Sequence, residues 1–500
     1  MPEKESSLFS SKLGFIIASI AMAVGTGNIW RFPRVAAANG GGAFVLILLI
    51  AVIFIMVPLL MSEMVIGRYG RKGTVGSYGD FMGGRKYSWV GAWMGFVCIA
   101  IMFYYSVVVG WTLKYTVLAL SGTFKAGVDT NAVWNAFTTN PTETIFYHFL
   151  AMALALFIIY QGVTKGIERY TKIFLPALAI LMVIAAIRAL TLPGAMEGME
   201  FLFRINPADL VNPTVWLEAF TQAAWSTGAG WALLMTYAIY SRPKDDVGAS
   251  MFVVGFADIG IALIAGMAVI PTVFAMAPSM GLETAEVLGA GNTGITFIYM
   301  AQLFTTMPGG LFMSIIFFLG LAFAGLSSLL AMVEVGVSNL VTAGWDRKKA
   351  ALYTAVAGFI VGIPSAWSLN FLDNQDWVWG VALLISGIFT AWAVMKFGVE
   401  KVRTELVNHE GTVMHVGKWF NYCIYASPIA IGIVFIWWFE MSIGWYGPDW
   451  WKPFEVFSTG TMLFQWAVAV IIFILANNWL GNYFNPEGSA LKPKKDKEAM

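Results

Sequence analysis

Ala21-Met22-Ala23-Val24-Gly25-Thr26-Gly27-Asn28 sets two glycines and an amide in the middle of a long apolar segment. Trp225-Ser226-Thr227-Gly228-Ala229-Gly230-Trp231 repeats the glycine pair, here with two hydroxyls. Glycine costs about 1 kcal/mol per residue inside a helix, so each pair marks a place where a helix unwinds. The plainer reading is glycine for close helix packing, which is common in membranes. One segment alone fits packing; the matched pair favours two broken helices, whose freed backbone must face protein, a cavity or an ion.

The rest of the chain reads as membrane. Of 500 residues, 58% are hydrophobic and 12% charged, too little charge for a soluble surface of this size. Apolar runs such as Val45–Ser62, Ile259–Ala275 and Ser314–Val333 approach or reach the length that crosses a hydrocarbon core of about 30 Å. The whole pattern predicts about twelve spanning helices in an all-α integral membrane protein. Lys and Arg gather in alternate connections, among them Arg68, Arg71, Lys165, Arg242, Arg347 and Lys396. By the positive-inside rule these face the cytoplasm, with both termini, in a multi-pass protein of the cell (inner) membrane. Trp377, Trp379, Trp445, Trp450 and Trp451 near helix ends fit interfacial belts. The first apolar segment, without a small-residue cleavage site, is expected to be a span rather than a signal peptide.

A net charge of +1 argues against nucleic acid as a partner, and the basic tail Lys492–Lys497 fits an inside anchor. Cys98 and Cys423 fall in apolar segments, so no structural disulfide is expected. Three scattered histidines offer no metal cluster, and no nucleophile–base set for an enzyme is visible. The breaks fall in the first and sixth spans, where two five-helix inverted repeats would each begin, a pattern known from secondary transporters. The expected division is 13–190 for the first repeat and 214–397 for the second. Residues 419–482 form two additional helices and 483–500 a cytoplasmic tail. The 278–309 stretch is read as short helices over the outer face.

The stretch Ala23-Val24-Gly25-Thr26-Gly27-Asn28-Ile29-Trp30-Arg31-Phe32-Pro33 resembles the signature of the neurotransmitter:sodium symporter family, in its bacterial amino-acid form. Asn39-Gly40-Gly41-Gly42-Ala43-Phe44, Glu63 with Gly67-Arg68-Tyr69-Gly70, Lys165-Gly166-Ile167-Glu168-Arg169-Tyr170 and Ala324-Gly325-Leu326-Ser327-Ser328 carry the resemblance on. It covers about residues 13–380; the last two spans match by position only. The resemblance implies two sodium sites and a central amino-acid site. One sodium would take the Ala23 carbonyl, Asn28, Ser226, Asp258 and the substrate carboxylate. The other would take the carbonyls of Ala21, Val24 and Ala324 with the hydroxyls of Ser327 and Ser328. The chemistry agrees, since a small hard cation wants oxygen ligands. For the two serines the alternative is bonding back to their own helix.

The start of the outer half-helix at Thr26 and Gly27 carries free N–H groups and partial positive charge, suited to a carboxylate, with Tyr105 beside it. Relatives that carry amines place an acid near Gly25; no acid stands in Ala21–Asn28, which points to amino acids. Met22, Ile101, Trp225, Gly228, Trp231, Ser328 and Met332 match the side-chain pocket, and being apolar or small they suit an apolar or aromatic side chain, with ordinary helix packing as the alternative. Arg31 and Asp376 match an outer gate over a lid of Tyr105 and Trp225; a snorkelling arginine and a helix N-cap are their plainer readings. Leu48 stands where chloride-dependent relatives hold a tyrosine, and Asp258 supplies a fixed negative charge, so no chloride requirement is expected. Glu63 is expected to bond freed N–H groups near the first break. At the inner gate Ser6-Ser7-Leu8-Phe9 and Val341-Thr342 lack the family's charges, leaving Tyr240, with Lys4, Glu5 or Asp346 in other roles; Glu334 has no assigned role. The expected function is sodium-coupled amino-acid symport by alternating access. The alternative is a non-transporting amino-acid sensor or scaffold on the same fold, and the oligomeric state is open.

Overall fold

Caps and apolar runs together dictate where the helices start. The computed structural model describes residues 8–486, all helix and connecting turns there. Lys4, Glu5 and the tail lysines, to which roles were assigned above, lie outside the described residues. Ser11 accepts the Gly14 N–H and opens α1 (Lys12–Ala23), and α2 (Thr26–Ala38) follows at a bend of 50°. Next come α3 (Gly42–Gly70), α4 (Arg85–Leu120), α5 (Pro141–Ile159) and α6 (Val163–Leu190). Asn212 with Pro213 starts α7 (Pro213–Thr227), which breaks before the short α8 (Leu233–Ala238). Side chains of Asp246, Asp346 and Ser368 accept first-turn N–H groups of α9 (Val247–Met276), α11 (Arg347–Trp367) and α12 (Leu369–Phe397). Between α9 and α11 runs α10 (Gly310–Thr342), and α13 (Trp419–Tyr446), α14 (Thr459–Leu475) and α15 (Asn477–Phe484) close the chain.

Among the described residues nine helices are long and apolar enough to span alone, and two bent pairs, α1–α2 and α14–α15, add two. We count α7 with α8, interrupted at 228–232, as the twelfth crossing. The 278–309 stretch forms short helices, including Thr284–Gly289 and Met300–Thr306, as expected. Cys98 and Cys423 are buried and free.

Burial sorts the spans. α3, α4 and α10 are buried along most of their length, whereas Ile180, Ile187, Ile360, Ile433 and Ile471 of the peripheral helices stay exposed. Exposed isoleucine and phenylalanine on the outer helices are what hydrocarbon contact requires, and every spanning backbone is helical or protein-covered. The helix ends bearing Lys12, Arg68, Arg242, Arg347 and Lys396 form one basic end. Both broken helices run through the buried centre, and their breaks meet between α4, α9 and α10.

Candidate functional site

Helix α1 stops at Ala23 because Val24 and Gly25 are extended, and α2 restarts at Thr26. The freed groups find side chains. The Gly25 N–H donates to Asn28 Oδ1 (3.0 Å), and the Thr26 N–H and hydroxyl both lie 3.3 Å from the Tyr105 hydroxyl. The Ser328 hydroxyl donates to the Met22 carbonyl at 3.0 Å. A Cβ on Gly25 would sit 2.9 Å from Ser328 Oγ and 3.1 Å from Tyr105 Oη, so a side chain here would have to push those hydroxyls aside.

The second break has a harder brace. Gly228, Gly230 and Ala232 all take positive φ (72°, 85° and 60°), which uncoils α7. The carboxylate of Glu63, reaching from α3, accepts the N–H groups of Gly230 (2.7 Å), Ala232 (3.3 Å) and Met235 (3.3 Å). This corrects the expectation that Glu63 serves the first break. α3 packs on α8 so closely that a Cβ on Gly67 would overlap the Met235 carbonyl, and that contact carries Glu63 to the second break.

Asp258 of α9, fully buried, joins the two breaks. Its Oδ1 accepts from Asn28 Nδ2 (2.7 Å) and its Oδ2 from the Ser226 hydroxyl (2.6 Å), while Asn28 Nδ2 lies 3.1 Å from Ser226 Oγ. The three residues assigned to the first sodium site therefore meet at one point; Ser226 and Asp258 bring hydroxyl and carboxylate oxygens, the ligand type a small hard cation prefers, while Asn28 turns its Nδ2 to them and its Oδ1 to the Gly25 N–H. Among the described residues no three His, Cys, Asp or Glu side chains gather, as a transition metal would need. At the second assigned set, Ser328 reaches across to α1, whereas Ser327 bonds back to the Ala324 carbonyl in its own helix (2.9 Å).

A cavity of about 270 Å³ opens beside this cluster. Its polar wall holds Ala23, Thr26, Gly27, Asn28, Tyr105 and Ser226; its apolar wall holds Met22, Trp225, Gly228, Trp231 and Met332, with Ser328 between. Ile101 is buried but not on the wall, a correction to the expected pocket. A Cβ on Gly228 would meet only Met22 at 3.6 Å and Leu233 at 4.0 Å, so glycine here leaves usable space. Trp225 and Trp231 stand edge to face, 5.4 Å apart. Val108, Trp111, Gln222 and Leu372 also line the cavity and went unnoticed in the sequence, since an apolar or amide side chain within a span carries no distinguishing signal.

At the cavity mouth, Arg31 and Asp376 share the wall but form no direct pair. Arg31 donates to the Gln222 side chain, lies 3.9 Å from Glu218 and sits over the Trp225 ring at 5.9 Å. The gate expected as a water-bridged or direct Arg31–Asp376 pair has no direct ion pair here, and the Arg31 side chain lies against α7. Toward the basic end Tyr240 donates to Glu334 (2.6 Å), and Arg347 grips the same carboxylate through two bonds of 2.8 Å. Glu334, fully buried, thereby gains the partner that an acid at membrane depth requires. Phe9 packs on Phe15 and Tyr237, and Asp346 caps α11.

Two broken helices meeting at an oxygen cluster beside a cavity define a sodium-coupled carrier, and the chain belongs to the sodium:neurotransmitter symporter family, whose model matches residues 6–144 and 142–481. It is a membrane transporter, not an enzyme. The sodium-dependent transporter YhdH of Bacillus subtilis is 30% identical over 456 residues, spanning 87% of this chain and 98% of YhdH. A sodium-dependent transporter of Methanocaldococcus jannaschii is 30% identical over 455 residues, spanning 87% of this chain and 90% of that one. The crystal structure of MhsT in complex with L-phenylalanine matches with a TM-score of 0.74 at 31% identity, covering 86% of this chain and 99% of MhsT.

Proposed function

We propose that the chain carries an apolar or aromatic amino acid into the cell with two sodium ions, by alternating access and without chloride. The basic end and both termini face the cytoplasm in this reading. The observation that carries it is the convergence of Asn28, Ser226 and Asp258, from both broken helices and α9, at the edge of the cavity. The substrate carboxylate belongs at the start of α2, beside Tyr105 and the first sodium, where freed N–H groups and the cation meet its charge. Its side chain belongs between Met22, Trp225, Trp231 and Met332, over the space that Gly228 leaves. That MhsT was solved with L-phenylalanine supports an amino acid of this class. Asp258 provides beside the first sodium the negative charge that an anion would otherwise bring, and Leu48, buried in α3, offers no hydroxyl to one.

Arg31 with Asp376 closes the mouth, and the Tyr240–Glu334–Arg347 cluster closes the opposite side. Two sodium ions falling through about 100 mV supply roughly 4.6 kcal/mol. A tenfold sodium gradient adds about 1.4 kcal/mol per ion, enough in total for about 10⁵-fold accumulation of a zwitterion.

The test is uptake of labelled leucine, phenylalanine, tyrosine and tryptophan into liposomes holding the purified protein, with inward sodium or potassium gradients. Sodium-driven accumulation that survives replacement of chloride by gluconate is the expected result. Sodium-dependent binding without accumulation would make the chain a sensor or scaffold, and no sodium-dependent binding at all would overturn the site assignment.

A further inference from the structure

Arg31 is held by α7 and not by Asp376. Glu218, Gln222 and Trp225 recur at four- and three-residue steps, so they share one face of α7, and the Arg31 side chain lies along all three. Among the described residues Glu218 is the carboxylate within ion-pair distance of Arg31, at 3.9 Å. Asp376, with Asp373 one turn before it, faces the same cavity from α12. A guanidinium stays charged, so at this partly buried mouth it gains from a carboxylate partner. The Glu218 contact is long and single-pronged, and both side chains keep some exposure, 16% for Arg31 and 33% for Glu218. Such a pair is weak enough to break within thermal reach. Arg34 also lies in the field of Glu218, which spreads that carboxylate's attraction over two cations.

Resting on the transport reading, we propose that Glu218 is a positioning residue for the gate. It parks Arg31 against α7 and competes with Asp376 for it, so closure of the mouth is an exchange of one carboxylate for another. Gln222 stays bonded to Arg31 on α7 and steadies the parked position.

The experiment measures dissociation of labelled L-phenylalanine from the purified full-length protein in sodium. Glu218→Gln removes the parked partner and is expected to slow dissociation roughly two- to fivefold, the range that a partly exposed ion pair supports. Asp376→Asn is expected to speed it. In an Asp373→Asn/Asp376→Asn background Glu218→Gln is expected to change nothing, because Arg31 then has no carboxylate on α12 to move to. Faster dissociation in Glu218→Gln, or the same effect in both backgrounds, would assign Glu218 a merely structural role. Failure of the wild-type protein to bind any amino acid with sodium would count against the transport reading instead. The exchange is then read without substrate, through modification of Leu372→Cys on the cavity wall by a membrane-impermeant maleimide. Cys98 and Cys423 are buried and give little background. Slower modification in Glu218→Gln upholds the exchange, and an unchanged or faster rate refutes it.

Discussion

Removing the Glu63 carboxylate tests how the second break is held. Its Oε1 accepts from Gly230 and Ala232, and its Oε2 from Met235, in a fully buried position. Glu63→Ala leaves three buried N–H groups without an acceptor, at about 1–3 kcal/mol each. Against that loss stands the burial cost of the carboxylate itself, several kcal/mol, which the substitution removes. The net expectation is destabilisation of about 2–5 kcal/mol. Glu63→Gln keeps one oxygen, which serves Gly230 and Ala232, and turns an NH₂ toward the Met235 N–H, so one bond is lost at about 1–2 kcal/mol. The assay is the fraction of monodisperse protein left on size-exclusion chromatography after stepwise heating in detergent. The expected order of survival is wild type, then Gln, then Ala. An alanine variant as heat-stable as the wild type would refute the idea that Glu63 braces the break.

Asp258→Asn removes the negative charge of the cluster; the sodium concentration for half-maximal uptake is expected to rise at least about tenfold, the equivalent of about 1.4 kcal/mol. A sodium titration that overlays the wild type would show that Asp258 is no cation ligand. At the basic end, burial disfavours the charge on Asp246, but N–H groups of Met414, Ala249 and Val413 bond it and Lys12 attracts it, so its carboxyl titrates below the usual range. A depressed value stabilises the docked 413–414 segment above the unfolded-state value near 3.9 and loses that effect as pH falls through the folded value. Limited proteolysis of the 398–418 connection is therefore expected to speed up as pH drops below about 4, and Asp246→Asn is expected to show the faster cutting already at pH 7.

Most of the architecture could be read before any coordinates. Uncharged runs, paired glycines and the alternation of basic connections are local signals, and each follows from what a bilayer permits. The first and sixth breaks, the meeting of Asn28, Ser226 and Asp258, and most of the cavity wall follow from them with the family resemblance. What stayed hidden depends on packing between distant spans. Glu63 serves Gly230, and Glu334 of α10 finds Arg347 at the start of α11; periodicity does not reveal either partner. Ile101 matched a pocket position yet is buried off the cavity wall, because a matching position in a span does not fix which side chains reach the lining. Arg31 lies against Glu218 and Gln222 of α7, partners that its own stretch of sequence does not reveal.

The two bracing acids are exchanged between the halves of the chain. Glu63, on the span after the first break, holds the second break, while Asp258, on the span after the second break, holds Asn28 at the first. During synthesis the early spans enter the membrane first. Glu63 then waits in hydrocarbon without its partners, at a penalty of a few kcal/mol, until the sixth segment arrives. Neither half is therefore a finished unit when made alone. Separately expressed halves should be poor lodgers in the bilayer and good partners for each other, and quality-control proteases that recognise unsatisfied intramembrane charge have a clear mark by which to tell an unfinished copy from a complete one.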